Sequence, residues 1–150
     1  MFPDTTRGEV RAVYHRRLHT LLGIPEVATA LQAHEFIAAG FPAVRLAELC
    51  EQGNIPESVC DWIVRPRRLK ALLDREQRLT VEESEKAFRA VHITLMAEAF
   101  FGESAPAAKR WLSRPMSAFD GRTSYAMIET TPGMHLVEER IIQGIEGFVF

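Results

Sequence analysis

Apolar side chains recur three and four positions apart through almost the whole chain. From Val10 to Leu22 they fall at Val10, Val13, Tyr14, Leu18, Leu21 and Leu22, the spacing that gathers side chains on one face of a helix. Gly23 and Pro25 end that segment. The pattern predicts a second helix over 26–39, with Val27, Leu31, Phe36 and Ile37 on its buried side and Gly40 placed to stop it. Pro42 opens a third, which carries Val44, Leu46, Ala47 and Leu49 and stops at Gly53-Asn54. Two short helices follow, Pro56–Ile63 and, after Val64-Arg65-Pro66, Arg67 to about Arg75. Each is entered through a proline, which a first helical turn tolerates.

Thr80-Val81-Glu82-Glu83 reads as a capping box, with the Glu83 carboxylate reaching back to the amide of Thr80. It starts the longest helix, Val81–Phe101, whose stripe of Ala87, Val91, Leu95 and Phe100, flanked by Phe88 and Ala99, faces a core. After Gly102 come a short helix over 105–113 anchored by Trp111 and Leu112, then an irregular link marked by Pro115 and Asp120-Gly121. Thr123 can cap a helix from Ser124 to about Thr130, and Thr131-Pro132 repeats the signal for a last one, Pro132–Gln143, with Met134, Val137, Ile141 and Ile145 on one side. No alternating strand run bounded by hairpin turns occurs. The expected class is all-α.

The chain has 150 residues, of which 47% are hydrophobic and 25% charged, enough to build a real core. No apolar run nears the roughly 20 residues that cross a bilayer, and Met1–Arg17 lacks the features of a secretory signal. Those two observations set a cytoplasmic expectation with no membrane partner. Cys50 and Cys60 form no metal-ligand pattern and are expected as reduced, mostly buried thiols. The net charge of −2 hides an asymmetry: residues 65–78 carry six basic side chains against two acidic, while residues 126–150 carry four acidic against one basic. A basic middle and an acidic end suggest two different partners.

The basic stretch has the form of a helix-turn-helix unit over about 56–75, in which the second helix enters the major groove. Arg67, Arg68 and Lys70 lie in or near the first turn of that helix and Arg65 at the junction, while Leu69, Leu72 and Leu73 face inward. Arginine suits phosphate and guanine alike, so these four are the candidate DNA contacts. Catalytic patterns are absent by comparison. Only His15 and His19 share a helix face, without the glutamate of a His-Glu-x-x-His site, and Cys60-Asp61 has no base or oxyanion donors nearby in sequence. No enzyme, catalytic residue, metal or cofactor is expected.

Ala97-Glu98-Ala99-Phe100-Phe101-Gly102, then Ala108-Lys109-Arg110-Trp111-Leu112-Ser113-Arg114-Pro115, then Phe119-Asp120-Gly121-Arg122-Thr123 follow one another in order. Together they resemble the toxin-binding domain of Xre/MbcA/ParS-type antitoxins. Thr130-Thr131-Pro132-Gly133, Val137 and Gly147 continue the pattern, and Leu79–Ser84 is similar to the junction ahead of that domain. The likeness runs over roughly Ala43–Phe150 and is closest after Arg78. It implies a homodimeric antitoxin: residues 1–79 would dimerise and bind operator DNA, and residues 80–150 would cover the active site of a cognate RES-type toxin that consumes NAD. The candidate toxin contacts on the last helices and tail are Arg122, Tyr125, Glu129, Met134, Arg140, Phe148 and Phe150, residue types favoured at interfaces. Ser124 stands where the family commonly has Pro. The alternative reading is a free-standing helix-turn-helix transcriptional repressor without a toxin.

Overall fold

The computed structural model of the chain describes residues 8–102 and 104–145. Among the described residues there are nine α-helices: α1 (Gly8–Leu22), α2 (Ala30–Ala39), α3 (Ala43–Glu51), α4 (Glu57–Ile63), α5 (Pro66–Asp74), α6 (Val81–Phe101), α7 (Ala105–Leu112), α8 (Ser124–Met127) and α9 (Thr131–Ile145). A single 3-10 turn, Ser117–Phe119, lies between α7 and α8. The fold is all-helical, as the periodicity predicts.

The helix starts are set by side-chain caps. Thr29 accepts from the amide of Gln32 at 3.1 Å while its own amide donates to the Gln32 side chain at 2.9 Å. This capping box starts α2 four residues later than the apolar pattern suggests and leaves Val27 in the preceding turn. At α6 the box is the expected one: Thr80 N donates to Glu83 at 2.9 Å, and Glu83 N donates to Thr80 Oγ1 at 3.1 Å. The last helix is capped one residue earlier than expected, because the Thr130 hydroxyl accepts from Gly133 N at 3.1 Å. Pro132 therefore sits second in α9, still within the turn where its missing N–H costs nothing.

The chain forms two compact units, one of Leu18–Val91 and the other of Met1–Arg17 with His92–Phe150. The family resemblance implies a functional division between 79 and 80; the two compact units part inside α6. The reason is that the first turns of α6 are bonded to earlier elements. Phe41 N donates to Ser84 Oγ at 3.0 Å, and the guanidinium of Arg68 on α5 clasps Glu83.

In the Leu18–Val91 unit, Leu46, Leu49, Ile55, Val59, Ile63, Leu72 and Leu79 are buried. A short antiparallel pairing of Pro42 with Arg78 holds the α2–α3 link to the α5–α6 link, through Leu79 N on Phe41 O at 2.8 Å and Ala43 N on Gln77 O at 3.1 Å. Gly40 makes the crossing possible: its φ is +83°, and a Cβ there would stand 2.3 Å from the Leu79 carbonyl oxygen. One expectation is corrected here. Cys50 and Cys60 are joined by a disulfide that ties α3 to α4, with Cα atoms 6.2 Å apart.

In the other unit the buried residues include Tyr14, Met96, Leu112, Ile128, Val137 and Ile141. Every residue of α6 from Ala90 to Ala97 is buried, not only a stripe. A helix surrounded on all sides must satisfy any polar side chain it carries, and here those are His92 and Thr94.

Candidate functional site

The basic surface is built by α4 and α5. Val59, Cys60 and Ile63 of α4 and Leu72 of α5 are buried, and Val64 and Arg65 are both extended, so the two helices are joined by a tight, non-helical corner. Pro66 enforces that corner, since the residue before a proline avoids helical conformation. Arg65, Arg67 and Lys70 are exposed on the resulting face. Arg68 is committed differently. Its Nε and Nη2 both donate to the Glu83 carboxylate, the latter at 3.0 Å. That bond, together with the donors from Thr80, overrides burial and holds the Glu83 carboxyl at about 2. Of the three arginines and one lysine singled out in the sequence, Arg65, Arg67 and Lys70 are exposed, and Arg68 fastens α5 to the cap of α6. Further back, Arg78 Nη1 donates to Gly40 O at 2.7 Å.

The second surface is built by α8 and α9 and the turn ahead of them. Met116 N donates to Arg122 O at 3.1 Å and Gly121 N to Met116 O at 2.8 Å, closing a small loop in which Asp120 adopts φ +53°. Thr123 then caps α8, its hydroxyl accepting from Ala126 N at 3.1 Å. Only three residues separate α8 from α9, and they cross closely: a Cβ on Gly133 would stand 1.9 Å from the Met127 carbonyl oxygen. The Thr-Thr-Pro-Gly run thus has a physical meaning. Threonine caps, proline starts, and glycine leaves room for the preceding helix.

The candidate contact residues divide by exposure. Arg122 and Glu129 are exposed, and Met134 and Arg140 are half-buried. Tyr125 is not on the surface. It is buried, and its hydroxyl bonds Thr94 Oγ1 of α6 at 2.7 Å, so it anchors α8 rather than offering a ring to a partner. Burial raises its pKa and keeps it protonated. Phe148 and Phe150 lie outside the described residues. Leu136, which sequence reasoning missed, stands 47% exposed on α9. Its signal was its position: it lies off the Met134–Val137–Ile141 side of that helix.

Sequence reasoning also missed what holds α9 in place. His92 on α6, only 2% exposed, is bonded at both ring nitrogens, to the Tyr14 hydroxyl through Nδ1 at 2.5 Å and to Glu138 Oε2 through Nε2 at 2.8 Å. Burial keeps the Tyr14 phenol protonated, so it donates to Nδ1, and the Nε2 proton then points at the carboxylate. His135 Nδ1 bonds the other Glu138 oxygen at 2.7 Å. Burial alone would raise the Glu138 carboxyl, but its hydrogen bonds with His92 and then His135 outweigh it and hold it below its ordinary value. A chain of Tyr14, His92, Glu138 and His135 thereby links α1, α6 and α9. Nothing in the spacing of scattered histidines announces it.

Comparison with known proteins bears on these two surfaces. The family described as the antitoxin Xre/MbcA/ParS C-terminal toxin-binding domain matches residues 96–143, from the buried part of α6 through most of α9. A Pseudomonas putida protein named Antitoxin Xre is 46% identical over 148 residues, which span 99% of this chain and 92% of that protein.

Proposed function

The chain belongs to the Xre-type antitoxin family, and on that footing we propose that it neutralises a cognate RES-type, NAD-consuming toxin by laying α8, α9 and the residues beyond them over the toxin's active site. The observation that carries this reading is what the matched stretch contains. Within residues 96–143, the part matched as a toxin-binding domain, successive caps and a close helix crossing set α8 against α9, with Arg122, Glu129 and Leu136 exposed. A rigid, preformed surface loses little entropy on binding, which favours tight obstruction of a cavity.

The same chain represses its own operon, in this reading, by placing α5 in the major groove of operator DNA. Arg65, Arg67 and Lys70 supply phosphate and base contacts, and a homodimer presents two such helices to a two-fold operator. This work is done in the cytoplasm. Arg68 contributes by fixing α5, through Glu83, rather than by touching DNA.

Co-expression with the neighbouring toxin tests the first part. A chain ending at Gly144 is expected to remain folded by circular dichroism yet fail to rescue growth, and Leu136→Asp is expected to weaken capture of the toxin in a pull-down. Full rescue by both variants would remove the α8–α9 surface from the mechanism.

A further inference from the structure

The two cysteines stand where the chain changes direction. Cys50 is in the last turn of α3, and its carbonyl accepts from Gly53 N at 3.2 Å as the chain leaves that helix. Cys60 is in the middle of α4, and its carbonyl accepts from Val64 N at 3.0 Å, the last helical bond before the corner that leads into α5. The disulfide therefore spans the α3–α4 link and ends one turn short of that corner. α3 packs against both α4 and α5, so a tie from α3 to α4 sets both helices of the basic unit on one support. Ile55, Val59 and Ile63 are buried in their own right. With the sulfurs parted, α4 keeps these apolar anchors and loses the covalent tie that fixes its angle to α3.

The pair is also built to exist in both states. Cys50 is half-buried and is the more exposed of the two, while Cys60 is buried. Cys60 Sγ lies 4.0 Å from the Ile55 carbonyl oxygen, which becomes the acceptor for a thiol proton once the disulfide is opened. In the cytoplasm proposed above, thiol pools keep most cysteines reduced, and a disulfide that forms there is usually transient, catalytic or redox-sensing.

From this placement we propose that Cys50 and Cys60 are a thiol–disulfide exchange site, opened by small thiols and closed by small disulfides, that sets the operator affinity of the α4–α5 unit. The proposal rests on the operator reading above and adds its control. Opening begins when a small thiolate attacks Cys50 Sγ. A mixed disulfide forms there, and the Cys60 sulfur leaves with the electron pair and takes up a proton. A second small thiolate attacks the outer sulfur of the mixed disulfide and releases Cys50, which is protonated in turn. Two small thiols are thereby oxidised to one small disulfide, and the protein disulfide is reduced to two thiols; closing is the reverse. The closed state binds DNA more tightly because α4, and the corner that aims α5, are already held in place. It is also the more stable state, since the bond restricts the unfolded chain across a separation of ten residues.

The test equilibrates the full chain in glutathione buffers of graded thiol-to-disulfide ratio and counts its free thiols. Binding to a duplex carrying the DNA upstream of its own gene is followed by fluorescence anisotropy, with circular dichroism as the check on folding. Both thiols are expected to appear together as the buffer becomes reducing and to vanish when it is reversed. The oxidised chain is expected to bind the duplex at least about fivefold more tightly than the reduced one and to melt about 5–10 °C higher. A chain carrying both Cys50→Ser and Cys60→Ser should bind as the reduced wild type does in every buffer; should it lose its helical signal, the two states of the wild type still give the comparison. Cysteines that never join, or a bond that glutathione never opens, overturn the exchange site. Equal affinity of the oxidised and reduced chains overturns the control and leaves the operator reading standing. Binding in neither state overturns the operator reading and the control with it.

Discussion

Replacing Gly133 with Ala sets two effects against each other at the start of α9. Helix propensity favours the change, since Ala is better than Gly in a helix interior by about 1 kcal/mol. Packing opposes it. The added Cβ would stand 1.9 Å from the Met127 carbonyl oxygen and 3.0 Å from both its carbon and Thr130 Oγ1. Real Cβ atoms essentially never approach within 3.0 Å, so α8 and α9 must part by more than 1 Å. The obstacle is backbone, which has no alternative rotamer. Overpacking of this sort costs about 1–3 kcal/mol and sometimes more, and a rigid obstacle puts this site at or beyond the upper end. The net expectation is a loss of about 2 kcal/mol, or about 4–8 °C in Tm for a chain of this size. Urea and thermal denaturation followed by circular dichroism give the number, and the toxin pull-down should weaken in parallel because α9 is displaced. The operator binding proposed for α5 should be unaffected. A Gly133→Ala chain as stable as the wild type would show that propensity wins and that the α8–α9 crossing is not tight.

Three further outcomes are expected. Tyr14→Phe removes the donor to the buried His92 Nδ1 and should cost about 1–3 kcal/mol in denaturation; a change within about 0.5 kcal/mol, the range of an ordinary surface substitution, would discount the link between α1 and α6. The Glu83 carboxyl is lowered from 4.5 to about 2, so the unfolded chain takes up its proton first as pH falls. The stabilisation is therefore full above the unfolded value and drains away between about pH 4.5 and 2, and an Arg68→Gln chain titrated by acid should show less of that dependence. Finally, Arg67→Ala should leave stability unchanged while lowering the salt slope of operator binding by about one. Arg68→Ala should instead lose stability, on the order of 1 kcal/mol for a half-exposed pair. Equal behaviour of the two variants in both assays would erase the distinction drawn between them.

Much of the fold was legible because helices announce themselves locally. The Thr80–Glu83 box, the prolines at 56 and 66 and the apolar repeat of 81–101 all act within a few residues of one another, and the structure places helices there. The start of α2 shows what remains ambiguous: apolar spacing favours 26, but the Thr29–Gln32 bonds decide it. Contacts between distant residues were not legible. Tyr14 and His92 are 78 positions apart, and Arg68 and Glu83 are 15 apart; no periodicity encodes either pairing. The same limit explains the surface assignments. Tyr125 is an interface-type residue by composition, yet whether its ring faces solvent or Thr94 depends on how α8 lands on α6. The cysteines differ from expectation for the same reason, since ten intervening residues say little about whether two sulfurs meet.

That one unit is assembled from Met1–Arg17 and His92–Phe150 has a consequence for how the protein comes into being. The intervening segment, Leu18–Val91, is continuous and has left the ribosome before the residues that complete the other unit. The opening residues must wait for the remaining 59 to be made, about 3–12 s at ordinary rates of synthesis. During that interval Tyr14 has no His92 to meet. The unit that holds the family-matched residues 96–143 is thus the last of the two to be completed.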